Sequence, residues 1–185
     1  MYNMAKQMID NLASMIEKFG FVPNGGRVYY LKRSQPPLLT PMLYEYYQSN
    51  QANQQDDKFL FKILELLEKE MHFWYTRRST NYTDSATKKS HIVYQYRAES
   101  NSIASAAEAG WDFSTRWFRE GENISSIETI NIFPVDLNAY MCWNFDLLSF
   151  LYGTLAKRAV GKEEQYRNKS EEYRRKKMDM MDTIL

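Results

Sequence analysis

The chain has 185 residues and a mass of 22.0 kDa, a length suited to one domain. Its 24 Lys and Arg against 23 Asp and Glu leave a net charge of +1, which provides no field for gathering nucleic acid or an anionic membrane and argues against both as main partners. A single Cys excludes an internal disulfide, no His or Cys cluster has the spacing of a metal site, and 44% hydrophobic with 25% charged residues is a globular mix.

Helical periodicity dominates the chain. Met8, Leu12, Met15, Ile16 and Phe19 recur at spacings of three and four, which predicts a first helix with Gly20 as its C-cap. The same stretch carries Lys6, Asp10, Glu17 and Lys18, so it does not read as a secretory leader. Met42 to Tyr47, after Pro41, reads as a short helix. Leu60, Ile63, Leu64, Leu67, Met71 and Trp74 form another apolar stripe, and Asp56 and Asp57 supply its N-terminal signal. A further helix starts near Asp136, with Asn138 beside it, and turns Tyr140, Trp143, Leu147, Leu148, Leu151 and Leu155 inward. This stretch is the most apolar of the chain, but Asn144 and Asp146 interrupt it, so it reads as a buried helix and not a membrane span. Beyond Gly161 lies a charged segment, 162–177, in which Tyr166 and Tyr173 are the inward candidates. No run of alternating strand residues is evident, and the fold class is all-α. His72 and His91 are isolated and read as structural or surface residues, and Cys142 as a core residue. Sequons at Asn81, Asn123 and Asn168 allow a secreted parent protein without requiring one, so localisation stays open.

Three segments between the helices concentrate charged, amide and aromatic residues: 23–37, 96–100 and 107–117. A neutral sugar offers many hydroxyls and no charge, so its site needs Arg, Asn, Gln and Glu to hold hydroxyls and aromatic faces to cover the C–H surfaces. Asn24, Arg33, Gln35, Arg97 and Glu99 supply the first kind, and Tyr29, Tyr30, Trp111 and Trp117 the second. By residue type alone another reading stands beside this one, in which Arg33 and Arg97 pair with carboxylates such as Glu99 and simply tie the loops together. Asp112 likewise has two readings. Its neighbours Trp111 and Phe113 could desolvate the carboxyl and raise its pKa toward that of a general acid, or Asp112 could cap a helix beginning at Phe113.

Taken together, these segments resemble the trehalase family, the inverting glycoside hydrolases that split α,α-trehalose into two glucose molecules. The likeness rests on Pro23-Asn24-Gly25, continuing through Arg27, Tyr29-Tyr30-Leu31 and Arg33-Ser34-Gln35-Pro36-Pro37. It proceeds through Arg97-x-Glu99-Ser100 and Gly110-Trp111-Asp112-Phe113-Ser114-x-Arg116-Trp117, and ends at Pro134-Val135-Asp136-Leu137-Asn138-Ala139. The resemblance implies part of an (α/α)6 toroid with its pocket where helix-connecting loops converge. It implies Asp112 as general acid, and Asn24, Arg33, Ser34, Gln35, Arg97, Ala98, Glu99 and Gly110 as substrate-binding positions. Trehalose is the implied substrate, with no metal and no organic cofactor. Gly26, Ala98 and Thr115 stand where the family commonly has Asn, Pro and Ser, departures that bear on fine geometry. Family members are much longer, so residues 1–185 are expected to be the central part of a catalytic domain. On that expectation the catalytic base lies outside the chain, and the chain alone is inactive. The alternative is a noncatalytic sugar-binding or protein-interaction remnant of the same scaffold.

Overall fold

A computed structural model describes residues 2–49, 56–99, 101–121 and 123–184. Among these the chain forms six α-helices and one small antiparallel hairpin: α1 (Tyr2–Phe19), α2 (Leu39–Ser49), α3 (Asp57–Arg77), β1 (Ser79–Thr83), β2 (Ser90–Tyr94), α4 (Ser102–Glu108), α5 (Val135–Ala156) and α6 (Glu163–Ile184). The fold is all-α. α1 packs on α2 and α3, α2 on α3 and α5, and α5 on α6, an order of packing that agrees with a partial helical toroid.

α1 ends at Gly20, whose φ of +84° is the left-handed conformation a helix C-terminus favours in glycine. Its buried line is Ile9, Ala13 and Ile16, and Met8 faces outward, one position off the stripe predicted from the sequence. In α3 all six predicted inward residues, from Leu60 to Trp74, are buried. Asp56 does not cap that helix through its side chain; its carboxylate instead accepts from Lys6 and Tyr46 and ties α3 to α1 and α2.

α5 and α6 form an antiparallel helical hairpin. Ser149 lies against Ser170 and Cys142 against the Lys177 carbonyl, so residue numbers rise along one helix as they fall along the other. The helices approach closely at Gly153, where a Cβ would come within 3.0 Å of the Ser170 hydroxyl oxygen. Tyr166 and Tyr173 point inward as predicted, joined by Met180. The Tyr173 ring stacks on Tyr152 with centroids 5.9 Å apart. Leu147, Leu148, Leu151 and Leu155 are buried, but Trp143 is 43% exposed, contrary to its predicted inward position. Leu137, Met141, Phe145 and Tyr152 complete the buried side.

The hairpin and the short helix α4 are absent from the sequence reading. Ser79 pairs with Tyr94 and Thr83 with Ser90 across five residue pairs. The turn is held by the Asp84 carboxylate, which accepts from the Thr87 hydroxyl and from the Ala86 and Thr87 N–H groups, and these bonds, that of the Thr87 hydroxyl first, hold its pKa below the usual carboxylate range. Asn138 then does more than start α5. Its side chain accepts from the Tyr94 N–H (2.8 Å) and donates to the Tyr94 carbonyl (3.0 Å), as a neighbouring strand would. Asn144, also buried, donates to the Pro37 carbonyl at 2.8 Å and fixes the loop before α2 against α5.

Candidate functional site

The first polar loop leaves α1 and returns on itself before α2. The Asn24 N–H donates to the Arg33 carbonyl (2.9 Å) and the Gln35 N–H to the Val22 carbonyl (2.9 Å), and a short 3-10 turn at Val28–Tyr30 forms the tip. Gly25 is required because the Tyr30 ring lies over it, and any Cβ there would come within 2.6 Å of that ring. Asn24 donates its Nδ2 to the Ala107 carbonyl (3.2 Å), and Gln35 its Nε2 to the Asn24 carbonyl (2.9 Å). Both amides thus keep their oxygens as acceptors for other groups.

The tie between the loops is a carboxylate that the sequence reading left without a role. Glu108, the last residue of α4, is fully buried, and the Arg78 side chain opposite it is 2% exposed. Glu108 Oε1 accepts from the Ser34 N–H (2.8 Å), the Ser34 hydroxyl (2.9 Å) and Arg78 Nη2 (2.7 Å). Its Oε2 accepts from the Arg97 N–H at 2.9 Å, and Arg78 Nε lies 3.0 Å from both oxygens. The Arg78 guanidinium rests on the Phe73 ring, which itself stacks on Phe21. One ion pair therefore joins segments 23–37, 78 and 97–99 to α4.

Arg33 and Arg97 make no ion pair among the described residues, and Glu99 lies 3.7 Å from Arg77 on the surface, so the loop-tying pairs considered from sequence are not formed. Arg33 stacks on Tyr30, and its Nε is buried without a hydrogen-bond partner. The Arg97 side chain is exposed. Ser34 is buried, with both its donors on Glu108. Ala98, where the family commonly has Pro, donates its N–H to the Ser105 hydroxyl (2.9 Å), a bond proline cannot make. The Glu99 N–H donates to the Lys32 carbonyl (3.3 Å), bringing the second loop alongside the first. Ser100 lies outside the described residues.

Gly110 (φ +71°) and Phe113 (φ +55°) both occupy the left-handed region, so the chain turns sharply on either side of Asp112. Gly110 lies beside the first loop, with Pro36 4.0 Å from where a Cβ would stand. Asp112 is exposed, and Trp111 and Phe113 are 51% and 50% exposed, so the flanking rings do not enclose the carboxyl as their sequence position suggested. The capping alternative is not realised either: the Ser114 N–H donates to the Trp111 carbonyl (3.1 Å), and the following 3-10 turn begins at Thr115. Beneath this turn Trp117 is buried, donating its Nε1–H to the Trp111 carbonyl (2.8 Å). Arg116 packs near both Trp rings and pairs with Asp136 at 3.1 Å. Tyr96 lies edge-on between Trp74 and Trp117. Burial first, and then the Asp136 carboxylate, push its phenol far above the ordinary range, and its hydroxyl has no hydrogen-bond partner.

Hydrogen bonds and close contacts thus join the segments carrying Asn24, Arg33, Ser34, Gln35, Arg97, Ala98, Glu99 and Gly110, with Asp112 two residues beyond the last. Sequence reasoning missed Arg78 and Glu108. The available signal was a single charge in a run of small residues, Ala106-Ala107-Glu108-Ala109, where a buried carboxylate calls for a buried partner. A cavity of about 660 Å³ lies elsewhere, between the hairpin and the end of α6, lined by Tyr75, His91, Tyr94, Phe145 and Met180 among others. Among the described residues no group of three metal-ligating side chains converges, and no helix is long and apolar enough to cross a membrane.

Comparison with known proteins gives one consistent result. The trehalase family model matches residues 1–102 and 81–182. The trehalase of Dictyostelium discoideum is 37% identical over 90% of this chain and 33% of its own length. That of Tenebrio molitor is 36% identical over 84% of this chain and 33% of its own, and that of Homo sapiens 36% identical over 81% and 30%. The chain spans about a third of the length of these curated relatives.

Proposed function

Because the chain belongs to the trehalase family, we propose that it carries the sugar-holding loops and the general acid of an inverting hydrolase of α,α-trehalose. The observation that carries this reading is the pair of arginines whose guanidinium groups have no carboxylate partner among the described residues, Arg33 and Arg97, held on adjoining loops by a buried ion pair that engages neither guanidinium. Guanidinium groups not engaged within the protein are donors for sugar hydroxyls. Arg33 and Arg97 donate to ring hydroxyls, the Asn24 and Gln35 side-chain oxygens and the Glu99 carboxylate accept from them, and the exposed Trp111 face covers a sugar ring. Ser34 fixes its loop through its N–H and hydroxyl, while Ala98 and Gly110 serve through the backbone: Ala98 anchors to Ser105, and Gly110 permits the turn.

An inverting hydrolase separates its two carboxyl groups by about 6.5–9.5 Å so that a water fits between the base and the anomeric carbon. Asp112 is the protonated member. It gives its proton to the bridging oxygen as the glycosidic bond breaks. No carboxylate of this chain is assigned as base: Glu108 is consumed by Arg78, and Glu99 is given to hydroxyls. The base comes from sequence outside these 185 residues, in keeping with relatives three times as long. The exposure of Asp112 belongs to the same reading, because the walls that exclude water from the site would be supplied along with the base.

The test is glucose release from trehalose. The chain alone should release none above background; joined to the N- and C-terminal parts of the Dictyostelium relative, it should turn over, and Asp112→Asn in that protein should lower kcat by about 10²–10⁴-fold. Undiminished turnover in Asp112→Asn would remove Asp112 from the acid role.

A further inference from the structure

A buried ion pair gives little net stability, because desolvating both charges costs about what their attraction returns, and apolar residues of similar volume fill such a site equally well. What an apolar pair cannot do is hold several backbone segments at fixed separations. Glu108 is arranged for that task. Its Oε1 takes both donors of Ser34, the neighbour of Arg33 in the first loop. Its Oε2 takes the backbone N–H of Arg97 in the second. Arg78 Nε bridges the two oxygens and fixes the rotation of the carboxylate, so that each loop meets its own oxygen. Two residues after Glu108 the chain reaches Gly110, and two more bring it to Asp112.

We infer that Glu108, oriented by Arg78, is a positioning residue that sets the spacing of the Arg33 and Arg97 loops, and thereby the affinity of the site for a neutral disaccharide. This rests on the proposed sugar-binding role of those loops. Neither Glu108 nor Arg78 touches the sugar; both are sealed from it. The two loops therefore open and close as one unit, and a change at this carboxylate reaches both.

Glu108→Gln preserves shape but places an NH2 group where one oxygen stood, donor against donor. Amide hydrogen exchange and trehalose titration, both followed by NMR on the 185-residue chain, test the inference, with Leu148→Ala in α5 as a control for general destabilisation. In Glu108→Gln the Ser34 and Arg97 amides should exchange at least tenfold faster, and the trehalose Kd should weaken about tenfold or more. Leu148→Ala should leave the Kd within about twofold. A folded Glu108→Gln with unchanged Kd, or equal weakening in both variants, would overturn the positioning role. Should Glu108→Gln fail to fold, the parent decides: under increasing urea the two amides should share one opening free energy and one denaturant slope, and separate openings would overturn the inference. A parent that binds no trehalose while these amides open together would sink the sugar reading but support the tie between the loops.

Discussion

The loop cluster and the α5–α6 hairpin are held together by opposite means. Between α5 and α6 the contact is aromatic and aliphatic: Tyr152, Tyr166, Tyr173, Leu148 and Leu151 interlock, with the charges of α6 facing outward. Such packing spreads its stabilisation over many weak contacts and adapts to a change of shape at one of them. The loops rest on the buried Tyr96 and Trp117 rings but are joined to one another through Glu108, with Asn144 and Asn138 anchoring the segments that lead in and out. A hydrogen-bonded carboxylate is directional, so it holds backbone to within a fraction of an ångström, but it fails as a whole when one partner is lost. The hairpin supplies stability that tolerates variation. The loops take their geometry from one point.

The largest expected effect breaks that point. Glu108→Ala leaves the Arg78 guanidinium buried without a counter-charge, which should cost about 3–5 kcal/mol in urea unfolding. A loss below about 1 kcal/mol would show the pair to be dispensable. On the other side of the comparison, Leu148→Ala opens a cavity in a fully buried position and should cost about 3 kcal/mol. Its fingerprint differs: protection should fall across α5 and α6, with segments 23–37 and 96–99 no more affected than the rest.

A third test concerns a buried carboxyl that, unlike Glu108, has no cation beside it among the described residues. Glu70 in α3 is buried, its Oε2 lacks a hydrogen-bond partner, and desolvation raises its pKa from 4.5 to about 8. The unfolded chain ionises this group above pH 4.5 while the folded chain keeps it protonated, so its contribution to stability is full below pH 4.5 and lost as pH rises toward 8. Glu70→Gln removes the loss. Its stability advantage over the parent should grow by about 1.4 kcal/mol per pH unit through that window, reaching about 3 kcal/mol near pH 7. A pH-independent difference would show that Glu70 is ionised in the folded chain. The smallest effect belongs to the rim between α5 and α6: Lys177→Ala removes a pair with the exposed Asp146 and should change stability by less than about 0.5 kcal/mol.

The long helices are legible in the sequence, α3 best of all: it is amphipathic, and all six residues its period places inward are buried, although Leu66 and Glu70 are buried beside them and the short α4 carries too little pattern to be read. Periodicity was less informative in α5, which is apolar on nearly all sides; with so few polar residues to mark an outer face, Trp143 was assigned inward. The hairpin escaped because β1, Ser79-Thr80-Asn81-Tyr82-Thr83, has one large apolar residue and is mostly exposed, so no alternation of buried and open positions marks it. The candidate site positions are drawn from the family motifs. How those segments are held is not legible in the sequence, since Arg78 and Glu108 stand 30 residues apart and only folding makes them neighbours.

The most direct test of the account is a trehalose titration of the 15N-labelled chain. The prediction is that amides of Asn24, Arg33 to Gln35, Arg97 to Glu99, Gly110 and Asp112 shift together along one saturation curve, and that Arg33→Ala and Arg97→Ala each weaken it. Shifts confined to the cavity around His91 and Phe145, or no saturable shifts at all, would contradict it.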